Sequence, residues 1–129
     1  IKGAGSSSIS TKQLRKILKR KNIGNFELVK GNVLKTVPDY AKKNKNLKIC
    51  LLNVDIDFVE STKCVLENFY DKVMKGGVII FDNYKGNIGS KKRKIFYQGE
   101  TDTINQFLKK KGKKIKFFKL FIRPSYIIK

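Results

Sequence analysis

The pattern of apolar positions along the chain predicts two strands with a helix between them. Residues 48–54 form a near-continuous apolar segment, and residues 78–81 form a second one. Between them, Val65, Leu66 and Phe69 recur at helical spacing. A strand this rich in apolar residues is typical of a parallel sheet covered on both faces. Two parallel strands joined by a crossover helix end at one edge of a sheet, where open α/β sheets bind ligands.

Helical and strand patterns alternate along the rest of the chain. We expect further helices over residues 11–21, 36–43 and 103–110, and further strands over residues 26–29, 115–120 and 125–128. The last two strands flank Arg123-Pro124 and are expected to form a hairpin or a bend. This order predicts an α/β fold that is Rossmann-like and three-layered, with a mostly parallel sheet that finishes in antiparallel C-terminal strands.

Capping residues mark the ends of the expected helices. Ser10 suits the N-cap of the first helix. Pro38 is expected in the first turn of the second helix, where proline is tolerated. Ser61 or Thr62 is expected to cap the helix between the two apolar strands, and Gly76-Gly77 is expected to end it.

Basic residues outnumber acidic residues three to one. The 129 residues include 30 Lys and Arg against 10 Asp and Glu, for a formal net charge of +20. Such a field attracts nucleic acid, anionic membranes or anionic substrates. The lysines are spread along the chain, however, as solvent-facing residues usually are, and the clusters at residues 91–94 and 109–114 lack interleaved aromatic residues. A basic nucleic-acid-binding module therefore stays open as an alternative function that we do not favour.

The histidine and cysteine content limits which catalytic groups, which metal sites and which cellular compartment fit this chain. The chain contains no histidine, which excludes a histidine general base and a histidine-containing zinc site. Cys50 and Cys64 lie in an apolar strand and an amphipathic helix, so reduced, buried thiols are expected rather than a disulfide. No apolar run is long enough to span a bilayer, and the start lacks a signal-peptide pattern. We expect a cytoplasmic protein that does not enter a membrane.

Acidic and amide residues follow each of the two apolar strands. Asp55 and Asp57 come after the first strand, and Asp82 and Asn83 come after the second. Neighbouring strands lie about 4.8 Å apart, so carboxylates at their ends can share a cation. Two carboxylates and an amide carbonyl suit Mg²⁺, which would lower the pKa of a substrate hydroxyl and orient it. The alternative of ordinary turn and cap residues is less favoured because both strand ends carry them.

A second enzyme class also fits part of this pattern. The Asp55-x-Asp57 pair after an apolar strand resembles the nucleophile motif of haloacid-dehalogenase-like phosphatases, in which the first Asp attacks phosphorus and the second acts as acid and base. Phe58-Val59 stands where glycine and threonine usually follow, and Phe81 stands where glycine is expected before the later acid. The phosphatase is therefore the less favoured enzyme.

Three segments together resemble the macrocin O-methyltransferase family, namely residues 51–62, 66–70 and 75–84. The family consists of class I S-adenosylmethionine-dependent enzymes that methylate sugar hydroxyls with a metal ion. Its pattern is a strand ending in Asp-x-Asp, a Tyr-Glu-x-Thr helix start, a Leu-Glu-Asn-Leu-Tyr helix and a Gly-Gly-strand-Asp-Asp-Tyr segment. This chain departs from it with Phe58-Val59 before the helix glutamate. Its Asp82-Asn83 pair is also similar to the metal-binding pair of catechol O-methyltransferases.

The resemblance implies roles for the residues at the two strand ends. Asp55, Asp82 and Asn83 would bind the metal, Mg²⁺. Asp55 and Asp57 would be the catalytic residues, with Asp57 as a nearby base or as an acceptor of a hydrogen bond behind the metal ligands. The implied cofactor is S-adenosylmethionine, and the implied acceptor is a sugar or a related small molecule.

Most of the cofactor-binding half of the family has no counterpart in the sequence. Gly31 and Asn32 match the end of the strand near the adenine of the cofactor, and Val33 is expected beside that ring. No strand followed by a glycine-rich turn precedes them. We therefore expect residues 1–129 to be either a fragment or a degenerate or partnered half-domain. In both cases they would form a single domain, the C-terminal part of a methyltransferase fold, with residues 1–9 flexible. Because a strand without neighbours exposes an edge, a homodimer is a further hypothesis.

Overall fold

The computed structural model describes residues 9–85, 98–118 and 124–129. The elements in chain order are α1 (Thr11–Arg20), α2 (Val33–Lys43), β1 (Ile49–Val54), α3 (Val59–Phe69), a 3₁₀ turn (Tyr70–Lys72), β2 (Val73–Phe81), α4 (Gln98–Lys110), β3 (Lys116–Phe117) and β4 (Ser125–Ile128). The chain divides into two compact units, residues 1–32 and 33–129. The basic cluster at residues 91–94 and the start of the chain at residues 1–8 lie outside the described residues.

The first unit contains one well-capped helix. Ser10 Oγ accepts a hydrogen bond from the backbone N–H of Gln13 at 3.2 Å, and the Gln13 side chain accepts one from the N–H of Ser10 at 2.9 Å. This capping box confirms the predicted start of α1. The strand predicted over residues 26–29 is wrong, because that segment has no regular secondary structure. A short extended segment forms a strand only where a neighbouring strand accepts its backbone hydrogen bonds.

The second unit is built around a four-stranded sheet with the order β1-β2-β4-β3. β1 and β2 are parallel, with Val54 paired to Phe81 at their carboxyl ends. β4 runs antiparallel to β2, and β3 runs antiparallel to β4, so the C-terminal hairpin is confirmed. Among the described residues, one of the three strand pairings is thus parallel and the other two are antiparallel. The predicted α/β class with antiparallel C-terminal strands is confirmed.

One face of the sheet packs against the helices. α3 contacts both α2 and α4 as well as β1, and the buried core includes Val54, Val65, Leu66, Tyr70, Ile79, Phe81, Ile104, Leu108 and Ile127. Successive side chains of a strand point to opposite faces. Leu52 and Val54 accordingly pack on the core, whereas Leu51 beside them is 57% exposed. The expectation that β1 is covered on both faces is therefore wrong for the described part of the chain.

Three helices begin earlier than their sequence signals predict, among them α4, which begins at Gln98 rather than at residue 103. α2 begins at Val33, which places Pro38 in the helix interior rather than in the first turn. α3 begins at Val59 with Phe58 as its N-cap, and no side chain caps it. The expected caps, Ser61 and Thr62, therefore lie inside the helix. Thr62 is fully buried, and its hydroxyl is used in a contact with α4 rather than in capping.

The glycine pair expected to end α3 lies inside β2 instead. Gly76 has a φ of 82°, and the β1–β2 pairing is irregular nearby, between Ile49 and Leu51. A Cβ atom at Gly77 would lie 2.8 Å from Val73 Cγ1 and 3.1 Å from the carbonyl oxygen of Cys50. Glycine is thus needed here because a side chain would collide with Val73 and Met74 of β2 itself and would crowd the neighbouring strand β1.

Both cysteines are free thiols, as predicted. The expectation that both are buried is wrong, because Cys50 is exposed and Cys64 is only partly buried. Cys50 lies on β1 beside the exposed Leu51. In the described part of the chain, no helix combines the length and the apolar character needed to cross a membrane.

Candidate functional site

The register of β1 and β2 brings two predicted site residues together. Val54 and Phe81 are paired, and Asp55 and Asp82 are the residues that follow them. The backbone N–H of Asp82 donates to the carbonyl oxygen of Val54 at 3.2 Å, so the two strands are still joined where the acids begin. Partial desolvation raises the pKa of Asp55, and the charges of Asp82 and then Asp57 raise it further. We call Asp55, Asp57, Asp82 and Asn83 the acidic corner.

Asn83 and Asp57 are hydrogen-bonded to each other across the acidic corner. Asn83 is 5% exposed, and its Nδ2 donates to Oδ1 of Asp57. Asp57 has a φ of 65°, a left-handed conformation that Asp tolerates better than most residues. The side-chain nitrogen of Asn83 thus donates to Asp57. The side-chain oxygen of Asn83, Oδ1, is not used in this hydrogen bond and is the predicted cation ligand.

A fourth carboxylate, Glu100, lies next to the acidic corner. Glu100 is in the first turn of α4 and is 3% exposed. Its Oε1 accepts a hydrogen bond from Thr62 Oγ1 at 3.0 Å, while its buried Oε2 has no hydrogen-bond partner among the described residues. Burial is the main cause that raises the pKa of Glu100. The hydrogen bond from Thr62 opposes this rise, and the charges of Asp57, Asp55 and Asp82 add to it.

Sequence reasoning missed Glu100 because it expected the last helix to begin at residue 103. With that boundary, Glu100 belongs to a loop and has no reason to be buried. A weak signal was present, since an acidic residue is favourable in the first turn of a helix. The sequence alone offers no sign that this turn contacts α3.

α4 also holds the backbone that follows Asn83. The N–H of Lys85 donates to Thr101 Oγ1 at 3.0 Å, and the Tyr84 hydroxyl donates to Asn105 Oδ1 at 2.7 Å. Burial raises the pKa of that Tyr84 hydroxyl, with the hydrogen bond to Asn105 acting in the opposite direction. The segment that contains Asp82 and Asn83 is therefore attached to β1 on one side and to α4 on the other.

The charge balance of the acidic corner favours a cation. Of the 10 acidic residues in a chain with 30 basic residues, four lie in or next to the acidic corner: Asp55, Asp57, Asp82 and Glu100. The ion pairs found within the described segments, Lys63–Glu67 and Lys111–Asp71, involve none of the four. No group of three or more Cys, Asp or Glu side chains in residues 9–85, 98–118 and 124–129 is arranged to hold a metal ion. The donor set of two carboxylates and the Asn83 amide therefore stays a prediction.

The three residues expected at the cofactor are divided between the two units. Gly31 and Asn32 are exposed and end the first unit, and the strand expected to place them is absent there. Val33 is the first residue of α2 in the second unit, and its side chain packs partly buried against the core. Their roles at the cofactor stay predictions.

The basic cluster at residues 109–114 makes several contacts within the chain. Lys111 Nζ lies 3.2 Å from Asp71 Oδ1 and 4.8 Å from the centroid of the Tyr70 ring. Lys113 Nζ donates to the carbonyl oxygen of Ile128 at 3.3 Å. Lys111 and Lys113 therefore contact the 3₁₀ turn and β4 of the same chain, which weakens their assignment to a nucleic-acid surface.

Comparison with known proteins identifies one family. The family model described as macrocin-O-methyltransferase matches residues 6–116. The structure of CalS11, a calicheamicin methyltransferase, is 28% identical with a TM-score of 0.66, over 78% of this chain and 36% of that one. An apo structure of CalS11, described as a TDP-rhamnose 3′-O-methyltransferase, is 26% identical with a TM-score of 0.70, over 89% and 50%.

A third solved structure agrees on the fold. The O-methyltransferase NovP is 21% identical with a TM-score of 0.69, over 94% of this chain and 45% of NovP. Comparison with the curated proteins finds no match. The chain thus spans half or less of the length of each of these three structures. Because the family model covers most of the chain and the structure reproduces the fold, the chain belongs to the macrocin O-methyltransferase family.

Proposed function

We propose that this chain serves an S-adenosylmethionine-dependent, metal-assisted O-methyltransferase that acts on a hydroxyl of a sugar or related small molecule. The observation that carries the proposal is that Asp55, Asp82 and Asn83 lie at the ends of two paired strands. Among the described residues, neither acid forms an ion pair with a lysine or an arginine. Membership of an O-methyltransferase family supports the reaction class. The name of CalS11, a TDP-rhamnose 3′-O-methyltransferase 26% identical to this chain, supports a sugar acceptor.

The residues of the acidic corner would have two roles in this reaction, binding of a metal ion and acceptance of a proton. Asp55, Asp82 and Asn83 would hold Mg²⁺, which when bound supplies the positive charge that lowers the pKa of a hydroxyl and orients it. Asp57 holds Asn83 through Oδ1, which leaves its Oδ2 to accept the proton of the acceptor hydroxyl. The acceptor oxygen forms a bond to the methyl carbon as the bond from that carbon to sulfur breaks. In-line placement of the reactants supplies much of the remaining rate enhancement.

Gly31, Asn32 and Val33 would lie at the cofactor. Gly31 and Asn32 are exposed, and glycine allows a ligand to approach the backbone closely. Val33 would place an apolar side chain beside the adenine ring. Family membership supports S-adenosylmethionine as the methyl donor.

Methyl transfer by the longest natural form of the protein tests this proposal. The Asp82→Ala variant is expected to lose turnover while its affinity for S-adenosylmethionine, measured by calorimetry, stays close to that of the wild type. The matched control is Asp102→Ala, since Asp102 is an exposed acid of α4 whose side chain accepts only a local hydrogen bond from Gln98 among the described residues. Full turnover by Asp82→Ala, or an equal loss in the control, would contradict the assignment of the acidic corner.

The alternative functions have less support. Membership of the methyltransferase family decides against the haloacid-dehalogenase-like phosphatase. A nucleic-acid-binding module predicts a mobility shift with oligonucleotides that weakens steeply with salt, and a shift insensitive to salt would exclude it.

A homodimer stays a prediction that rests on the edge strand. β1 is one of the two outermost strands of the described sheet and carries the exposed Leu51. Light scattering that shows only monomer across the accessible concentration range would remove this hypothesis.

A further inference from the structure

The first turn of α4 carries a buried carboxylate for which the proposed reaction has no use. Glu100 is 3% exposed, and its Oε2 has no hydrogen-bond partner among the described residues. Since Oε2 is enclosed, a substrate cannot reach it without displacing its neighbours. Leaving such an oxygen without a partner is costly, so a position that retains it calls for an explanation.

The other oxygen of Glu100 joins α4 to α3 just after Asp57. Oε1 accepts from Thr62 Oγ1 at 3.0 Å, and Thr62 is fully buried. The packing around this contact is tight, because a Cβ atom at Gly99 would lie 2.9 Å from Val59 Cγ2. Val59 is the first residue of α3 and lies two positions after Asp57. The start of α4 is thereby held against the segment that carries Asp57.

The next residue of the same turn joins α4 to the backbone just after Asn83. Thr101 is 2% exposed, and its Oγ1 accepts the hydrogen bond from the N–H of Lys85 at 3.0 Å. One turn further along α4, Asn105 accepts the hydrogen bond from Tyr84. α4 therefore contacts both chain segments that the Asn83–Asp57 hydrogen bond connects.

We propose that Glu100 and Thr101 are positioning residues that close a ring of contacts around the acidic corner. The ring runs from Asp57 into α3, through Thr62 to Glu100 and Thr101, through Lys85 back to Asn83, and across to Asp57. It sets the orientation of the Asn83 amide, and through it the geometry offered to a cation. Neither residue touches the cation or the substrate. The inference rests on the proposed cation site, and it adds the element that keeps that site in shape.

The Thr101→Val variant tests the ring against a matched control on the same helix. Among the described residues, the Thr103 hydroxyl donates only to the Gly99 carbonyl within α4, so Thr103→Val removes a hydroxyl without touching the ring. In the full chain without added cation, we expect Thr101→Val to speed amide exchange at Lys85 by about 10-fold. By calorimetry with Mn²⁺ as the probe, we expect its affinity to fall by about 10-fold. Thr103→Val is expected to match the wild type in both measurements.

Glu100 is tested by a conservative and a disruptive change. Glu100→Gln keeps an oxygen for Thr62 and is expected to retain most of the Lys85 protection, whereas Glu100→Ala is expected to lose it. Where Glu100→Ala does not fold, Thr62→Val removes the same hydrogen bond from the other side. The ring is refuted if Thr101→Val behaves like Thr103→Val, or if amides throughout the chain exchange faster by the same factor as Lys85. Absence of Mn²⁺ binding by the wild type would instead refute the cation site, and the Lys85 exchange rates would still decide whether the ring exists.

Discussion

The Asp82→Asn substitution is expected to have opposite effects on stability without and with Mg²⁺. It preserves the size and shape of the side chain but removes one negative charge from the acidic corner. In the protein without a cation, that charge acts on Asp55, whose pKa it helps to raise. In the protein with a cation, the same charge is one of the two carboxylate ligands in the proposed site.

The effect without a cation follows from the spacing of the strands. Adjacent strand ends lie about 5 Å apart, and two unit charges at that distance repel each other by about 0.8 kcal/mol in water. Asp55 is exposed and salt screens its charge. We therefore expect Asp82→Asn to raise the free energy of unfolding of the cation-free protein by about 0.5 kcal/mol. The pKa of Asp55 should fall toward its ordinary value at the same time.

The effect with Mg²⁺ is larger and has the opposite sign. At a concentration of 100 times the Kd, a ligand that binds only the folded state adds about 2.7 kcal/mol to its stability. Changing a group behind a metal ligand typically costs 10–100-fold in affinity, so loss of a ligand itself should cost about 100-fold or more. At the same Mg²⁺ concentration the variant should then gain no more than about 0.4 kcal/mol.

Urea unfolding in EDTA and in MgCl₂ measures both effects. Asp39→Asn is the control, because Asp39 is an exposed acid of α2 outside the acidic corner. We expect the control to gain as much stability from Mg²⁺ as the wild type does. If Asp82→Asn destabilises the protein in EDTA, or keeps the full gain in MgCl₂, then the two strand ends do not act as a shared cation site.

Three further predictions concern stability. Leu66 is fully buried in the core, so Leu66→Ala should lower the free energy of unfolding by about 2–5 kcal/mol, against less than about 1 kcal/mol for the exposed Leu51→Ala. Gly77→Ala should cost about 1–3 kcal/mol by urea unfolding, whereas Gly24→Ala should be nearly neutral because a Cβ atom there would meet no atom within 4 Å. The raised pKa of Glu100 means that, as the pH rises above 4.5, the folded state keeps a proton that the unfolded chain loses. The free energy of unfolding of the wild type, measured in urea at a series of pH values, should therefore fall relative to that of Glu100→Gln above pH 4.5. A difference between the two proteins that does not change with pH would contradict this.

Much of the candidate site follows from local pattern combined with topology. The apolar runs at residues 48–54 and 78–81 predicted both strands, and the helical spacing between them predicted the crossover. Parallel strands joined in this way end at one edge, so the meeting of Asp55 and Asp82 could be inferred without coordinates. Helix boundaries were less predictable, because Thr62 looks like a cap in sequence and serves instead as a buried hydrogen-bond donor.

The sequence by itself therefore determined the parallel pair of strands, the crossover helix and the acids at the strand ends, since each depends on residues close together in the chain. Only the tertiary structure decided that Glu100 is buried beside those acids, because its contact with Thr62 joins residues 38 positions apart. The tertiary structure also decided that Gly77 lies close to the carbonyl oxygen of Cys50 and that the Leu51 side chain is exposed. Such features depend on which surfaces pack together, and packing is a property of the whole fold rather than of any short segment.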